Sequence, residues 1–180
     1  LLYGTFDFSS THPQNTSAGT QTAPPVACPI EIESDAEITG GIFEKAVTNN
    51  GGTIYDGTFN TMVENNVVSW GTLGKIVGGA FNGTVTNSGT ITDGTFAGTI
   101  VENKGTISGG AFQKMCSVTN YGNIDSKGTF EGTVENHNTI SGGTFKNTCS
   151  VTNNSFISDG TFEGTVTNDT SGRIFGGTFQ

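Results

Sequence analysis

The chain has 180 residues and a formal net charge of −9. Gly accounts for 28 of them, Thr for 30 and Asn for 17, whereas Leu occurs only at Leu1, Leu2 and Leu73. Helical domains need Leu, Ala, Glu and Lys in quantity and little Gly or Thr, so a helical fold is excluded. Charged residues make up only 13%, roughly half the share of ordinary soluble domains, which argues equally against a charge-solvated disordered chain.

In chain order, the sequence opens on Leu1-Leu2-Tyr3-Gly4-Thr5-Phe6, without an initiator Met or a signal-peptide pattern. It stops at Gly176-Gly177-Thr178-Phe179-Gln180, inside a repeat signature, which reads as a processed piece of something larger. Gly4-Thr5-Phe6-Asp7-Phe8 has the look of a strand of the repeat type. Residues 9–29 are Ser/Thr/Pro-rich without apolar periodicity and are expected to form a long loop or arm. Cys28, between Ala27 and Pro29, is the odd thiol of the chain. Ile30-Glu31-Ile32 alternates and starts a cap or first turn, and Glu31, Glu33, Asp35 and Glu37 form a small acidic patch. Residues 1–37 are therefore expected to be an N-terminal arm and cap, covering an end that would otherwise expose a core cross-section and unpaired strand edges.

Residues 38–180 are repeats. The unit reads Gly-Thr-Ile, Gly-Thr-Phe, Thr-Val-x-Asn, and three apolar ladders run along it. One is Ile38, Ile54, Ile91, Ile107, Ile124, Ile140, Ile157 and Ile174, with Ile76 or Leu73 filling the remaining rung. The second includes Phe96, Phe112 and Phe145, with Phe-to-Phe spacings of 16, 22, 15, 16, 18, 15, 17 and 17. The third includes Val85, Val101 (or Ile100), Val118 and Val151, each followed two residues later by Asn, as at Asn87, Asn120 and Asn153. Each ladder residue sits between small or polar neighbours, the alternation of a short half-buried strand. Gly and Asn between the triplets supply corner conformations that β-branched residues avoid. The prediction is an all-β, single-stranded parallel β-solenoid (a β-helix) of about 16–17 residues and three short strands per turn, with about eight to nine turns. Ile, Phe and Val then stack on their own kind about 4.8 Å apart, and the Asn column is a corner ladder of side-chain amides.

A second period doubles the first: Glu64, Glu102 and Glu135 alternate with Thr48, Thr86, Thr119 and Thr152, which keeps carboxylates off adjacent rungs. Departures from the repeat are where solenoids place function. The largest, residues 66–75, carries Trp70, a residue suited to stacking on a sugar or anchoring a protein contact, or else to covering an apolar patch. Turns five and seven each have two extra residues before Cys116 and Cys149, which are expected as buried thiols two turns apart, beyond ordinary disulfide reach. Phe156 and Phe175 flank ladder isoleucines on the solvent side and point to a packed neighbour or an intermolecular contact.

These repeated units resemble the short Gly/Thr/Asn-rich repeats of secreted and surface-anchored bacterial proteins, the adhesin-like β-solenoids. The resemblance covers residues 38–180 and implies an extracellular or cell-surface adhesin or rigid stalk, binding an unidentified host protein or glycan. Candidate contact residues are Trp70, Tyr55, Thr90, Thr92, Thr106 and Ser108. The outward Thr arrays also admit an ice-binding reading, although Asn123, Asp125 and the Glu column interrupt them. A phage fibre or polysaccharide-active β-helix is the third reading, but Asp56, Asp93 and Asp159 lie on alternate or more distant turns rather than as the facing pair that glycoside cleavage needs. The expectation is no enzyme, no cofactor and no metal. Scattered basic residues set nucleic acid aside, no apolar run approaches a membrane span, and self-association through the solenoid ends is expected.

Overall fold

The computed structural model describes residues 5–7, 24–68, 71–98 and 100–180. It is a parallel β-solenoid of about nine turns with about 17 residues per turn. Two continuous parallel sheets run along it. The nine-stranded sheet begins at Ile30–Glu33, continues through Val47–Asn50 and ends at Thr165–Asn168. The fifteen-stranded sheet collects the Ile and Phe segments together. In turns one, two, seven and eight these two segments fuse into one seven-residue strand, as in Glu37–Phe43 and Thr139–Phe145. The expected three strands per turn are thus three sides of the coil on two sheets, one of them creased lengthwise. The crease sits at a glycine column, Gly41 to Gly177, whose φ lies between +97° and +139° in every turn but the sixth, a region side-chain-bearing residues avoid.

Register is like on like. Ile91 pairs Ile107, Phe96 pairs Phe112, Val118 pairs Val134, and Asn120 pairs Asn136. Ile76, not Leu73, completes the Ile ladder, because it is Ile76 that pairs with Ile54 while Leu73 is exposed. Likewise Val101, not Ile100, pairs with Val85. The Ile and Phe columns are buried from turn one through turn eight and the Val column through turn seven, with Val166 partly buried after it. The phenylalanine rings stack at centroid distances of 4.5–5.0 Å with planes within 11° of parallel. That spacing is the strand repeat itself, so the backbone imposes the stack and each ring fills the space of one rung.

The asparagines form the fourth column, and all seven from Asn49 to Asn153 are fully buried. Each Nδ2 donates to the Oδ1 of the next rung at 2.7–2.8 Å. It also donates to a corner carbonyl, as Asn65 does to Gly74 at 3.0 Å. A buried amide is tolerable because its donors and acceptor are engaged. The exception lies at the start: Asn49 Oδ1 has no partner, because the residue stacked above it is Ile32.

The irregular pieces also fall into place. Ile30–Glu33 stacks on Val47–Asn50, and Thr5–Asp7 pairs with Glu37–Phe43, so strand stacking begins upstream of residue 38. The insertion folds back on itself: Val67 bridges Leu73 in antiparallel fashion, and Val68 N–H donates to Thr72 O at 3.0 Å. The coil then resumes at Lys75, paired with Thr53. Trp70, which the sequence places in that insertion, lies outside the described residues. Cys116 and Cys149 close tight turns, their N–H groups donating to Gln113 O at 2.8 Å and Lys146 O at 2.7 Å. Both thiols are free and buried within the core, as the two extra residues before each predict.

Candidate functional site

Outward columns set what each face presents. On the nine-stranded sheet, Glu31, Thr48, Glu64, Thr86, Glu102, Thr119, Glu135 and Thr152 occupy one column in strict alternation. Glu31 extends the doubled period one turn upstream of where the repeat pattern alone reveals it. Two of these carboxylates meet nitrogen-bearing side chains from the adjoining corner: Lys104 lies 2.9 Å from Glu102 and His137 lies 3.0 Å from Glu135. Tyr121 stacks on His137 at 4.9 Å along the same corner.

The side of the Ile ladder carries the hydroxyl array. Thr90 and Thr106 are adjacent in register, and Thr92 and Ser108 follow them on the same two turns. The structure therefore gathers these four residues on one surface, with Tyr55 two turns away and 46% exposed. The second hydroxyl column is not turned freely outward. Thr92 donates to Ile76 O at 3.2 Å and Ser108 to Ile91 O at 3.3 Å, each back onto the preceding rung. Ser141 and Ser158 do the same to Ile124 O and Ile140 O.

The repeated acids have a local task. Asp56, Asp93 and Asp159 each accept the N–H of the glycine that follows, at 2.7, 2.7 and 2.8 Å. They fix the creased corner by holding the backbone N–H of the next residue. Among the described residues, no group of three or more His, Cys, Asp or Glu side chains converges on a metal position. Burial drives the Cys116 and Cys149 thiols up to about 12, so they stay protonated at neutral pH.

A concavity lies where the insertion leaves the coil. It is a polar cleft of about 440 Å³, and its lining includes Asp35, Glu37, Thr53, Thr72, Leu73 and Lys75. That volume falls in the range of small-ligand clefts. Glu37, Thr53 and Lys75 are one outward column on three consecutive turns, so carboxylate, hydroxyl and ammonium follow one another at the rung spacing. Asp35 enters from the preceding corner with φ +70°, a conformation that only a few non-glycine residues adopt. Thr72 and Leu73 come from the returning limb of the insertion. Charged groups of both signs, two hydroxyls and one apolar wall suit a polar, many-hydroxyl ligand. Sequence reasoning singled out the insertion and the acidic patch separately; only stacking joins them into one site.

No helix among the described residues is long and apolar enough to cross a membrane. The chain matches no protein-family model, no curated protein and no solved structure.

Proposed function

We propose that this is a non-enzymatic extracellular or cell-surface protein, an adhesin or rigid stalk, that carries a ligand-binding cleft on the side of a stiff rod. The observation behind the reading is the cleft of about 440 Å³ built by the insertion on an otherwise unbroken coil. Stacked Phe, Ile, Val and Asn ladders make the body inextensible, because every rung is bonded to the next by backbone and side chain alike. A rod of this kind holds a site at a fixed distance from its support. A host glycan fits the lining best, since hydroxyl-rich ligands are recognised by a few well-placed carboxylates, hydroxyls and amines over an apolar wall.

The test is binding of the purified chain to a glycan array, followed by titration of the hits. Lys75→Ala and Asp35→Asn are expected to weaken binding by roughly tenfold, the cost of losing one charge-assisted hydrogen bond. Thr152→Val, on the other sheet and four turns beyond Lys75, is expected to leave it unchanged. Absence of any glycan hit, or hits indifferent to both cleft variants, rejects the reading.

A further inference from the structure

The charges in the cleft are held apart. Glu37, Thr53 and Lys75 stand on three consecutive rungs, so the backbones that carry the acid and the ammonium are about 9–10 Å apart along the coil, with a hydroxyl between them. Asp35, two residues before Glu37, adds a second, exposed carboxylate at the acidic edge. Elsewhere in the coil a lysine beside a carboxylate closes on it, Lys104 on Glu102 at 2.9 Å and Lys146 on Glu163 at 3.1 Å. Lys75 makes no ion pair among the described residues, although two acids share its lining.

That pattern selects among glycans. A neutral glycan seated on the lining takes water from Lys75 and Asp35 and returns no charge, an unfavourable exchange. A polyanion meets Lys75 but also Asp35 and Glu37, on a chain whose net charge is −9. A polycation suits the acidic edge and sets a like charge against Lys75. A ligand with one charge of each sign matches both edges. Span matters as well: an α-amino acid carries its two charges on one carbon, too close together to reach across two rungs. Amine and carboxylate on neighbouring sugar rings are spread across a glycosidic bond. Thr53 lies between the charged rungs and Thr72 comes from the insertion, and both can donate to or accept from ring hydroxyls.

We infer that the cleft takes a zwitterionic glycan segment, an amino sugar with a free ammonium group joined to a uronic acid. The ammonium sits against Asp35, the uronate against Lys75, and hydroxyls between them meet Thr53. This inference rests on the reading of the cleft as a glycan site and narrows it. Affinity then resides in two separate contacts of opposite sign, each belonging to one residue.

Isothermal titration calorimetry of the 180-residue chain with a disaccharide of glucosamine and glucuronic acid tests it. The disaccharide is used as the free zwitterion, the N-acetyl derivative, the methyl ester and the doubly capped neutral sugar. The zwitterion is expected to bind tightest, and each single cap to weaken binding about tenfold, the loss of one charge-assisted contact. Two variants assign the contacts. In Asp35→Asn, which keeps a residue tolerant of φ +70°, N-acetylation is expected to have no effect while esterification still weakens binding. In Lys75→Met, which keeps the aliphatic stem, the reverse is expected. Equal binding of the zwitterion and the neutral sugar, sensitivity to one cap only, or cap effects that survive both variants overturns the inference and leaves the glycan reading standing. Failure of all forms of the disaccharide to bind, beside array hits that depend on Lys75 and Asp35, does the same. Silence of the array removes the glycan reading and the inference with it. A peptide bearing one lysine and one glutamate that outcompetes the zwitterion also overturns the inference.

Discussion

Asn103 shows how much of the coil depends on single side-chain atoms. Its Oδ1 accepts from Asn87 and its Nδ2 donates to Asn120, both at 2.7 Å. Asn103→Leu keeps the volume nearly constant but strands one donor above and one acceptor below in a site closed to water. Each unsatisfied group costs about 1–3 kcal/mol, so a loss of about 2–5 kcal/mol is expected from the shift in urea midpoint. The buried thiols make a second prediction at this scale. Cys116 and Cys149 ionise at about 12 in the folded chain against an ordinary value of 9.0. The folded state thus keeps protons that the unfolded state releases. Their contribution is fully present below pH 9 and is lost as pH rises from 9 through 12. Melting temperature is expected to fall across that window, and less steeply in a Cys116→Ala/Cys149→Ala double variant. At neutral pH a thiol reagent is expected to label Cys28 alone until the chain unfolds.

At the scale of the turn, the informative feature is the pairing of turns rather than the single turn. Glu102 and Glu135 are two rungs apart with Thr119 between them. Deleting residues 104–120 removes one turn and sets Glu102 directly beside Glu135. Two carboxylates at about 4.8 Å repel by about 1 kcal/mol in a water-like dielectric. Deleting residues 104–136 removes two turns and sets Glu102 beside Thr152, preserving the alternation. The one-turn deletion is expected to be the less stable of the two at low ionic strength, with the difference shrinking in 1 M salt. Equal stability at all salt concentrations, measured by thermal melts, removes repulsion as the reason for the doubled period. Corner chemistry obeys the same logic of repetition. A Cβ on Gly105 would lie 2.0 Å from Gly89 O, and one on Gly122 2.1 Å from Gly105 O. Glycine is required there because backbone of one turn touches backbone of the next.

For the whole molecule, the ladders make each turn depend on its neighbours, so a coil of nine turns is stable where one turn is not. The same dependence explains why so much was legible beforehand. Ile91, Phe96, Val85 and Asn87 announce themselves as ladder positions because their spacing repeats, and inward and outward alternate every residue along a strand. Leu73 and Ile76 could not be separated in that way. A spacing of 22 residues leaves slack on either side of the rung, and only pairing with Ile54 chose between them.

What the sequence by itself determined is the identity, order and stacking partner of every core column, because a repeat encodes contacts between residues a fixed distance apart. What only the tertiary structure decided are the features made by residues without such a period. Asp35 and Lys75 share a cleft although 40 positions separate them, because the coil brings the corner before turn one alongside the insertion two turns later. Thr92 and Ser108 look like free surface hydroxyls in sequence, yet they bond backward to the rung above, since that carbonyl lies within reach. Periodicity describes the interior of a repeat array; its ends and interruptions depend on what the coil places against them.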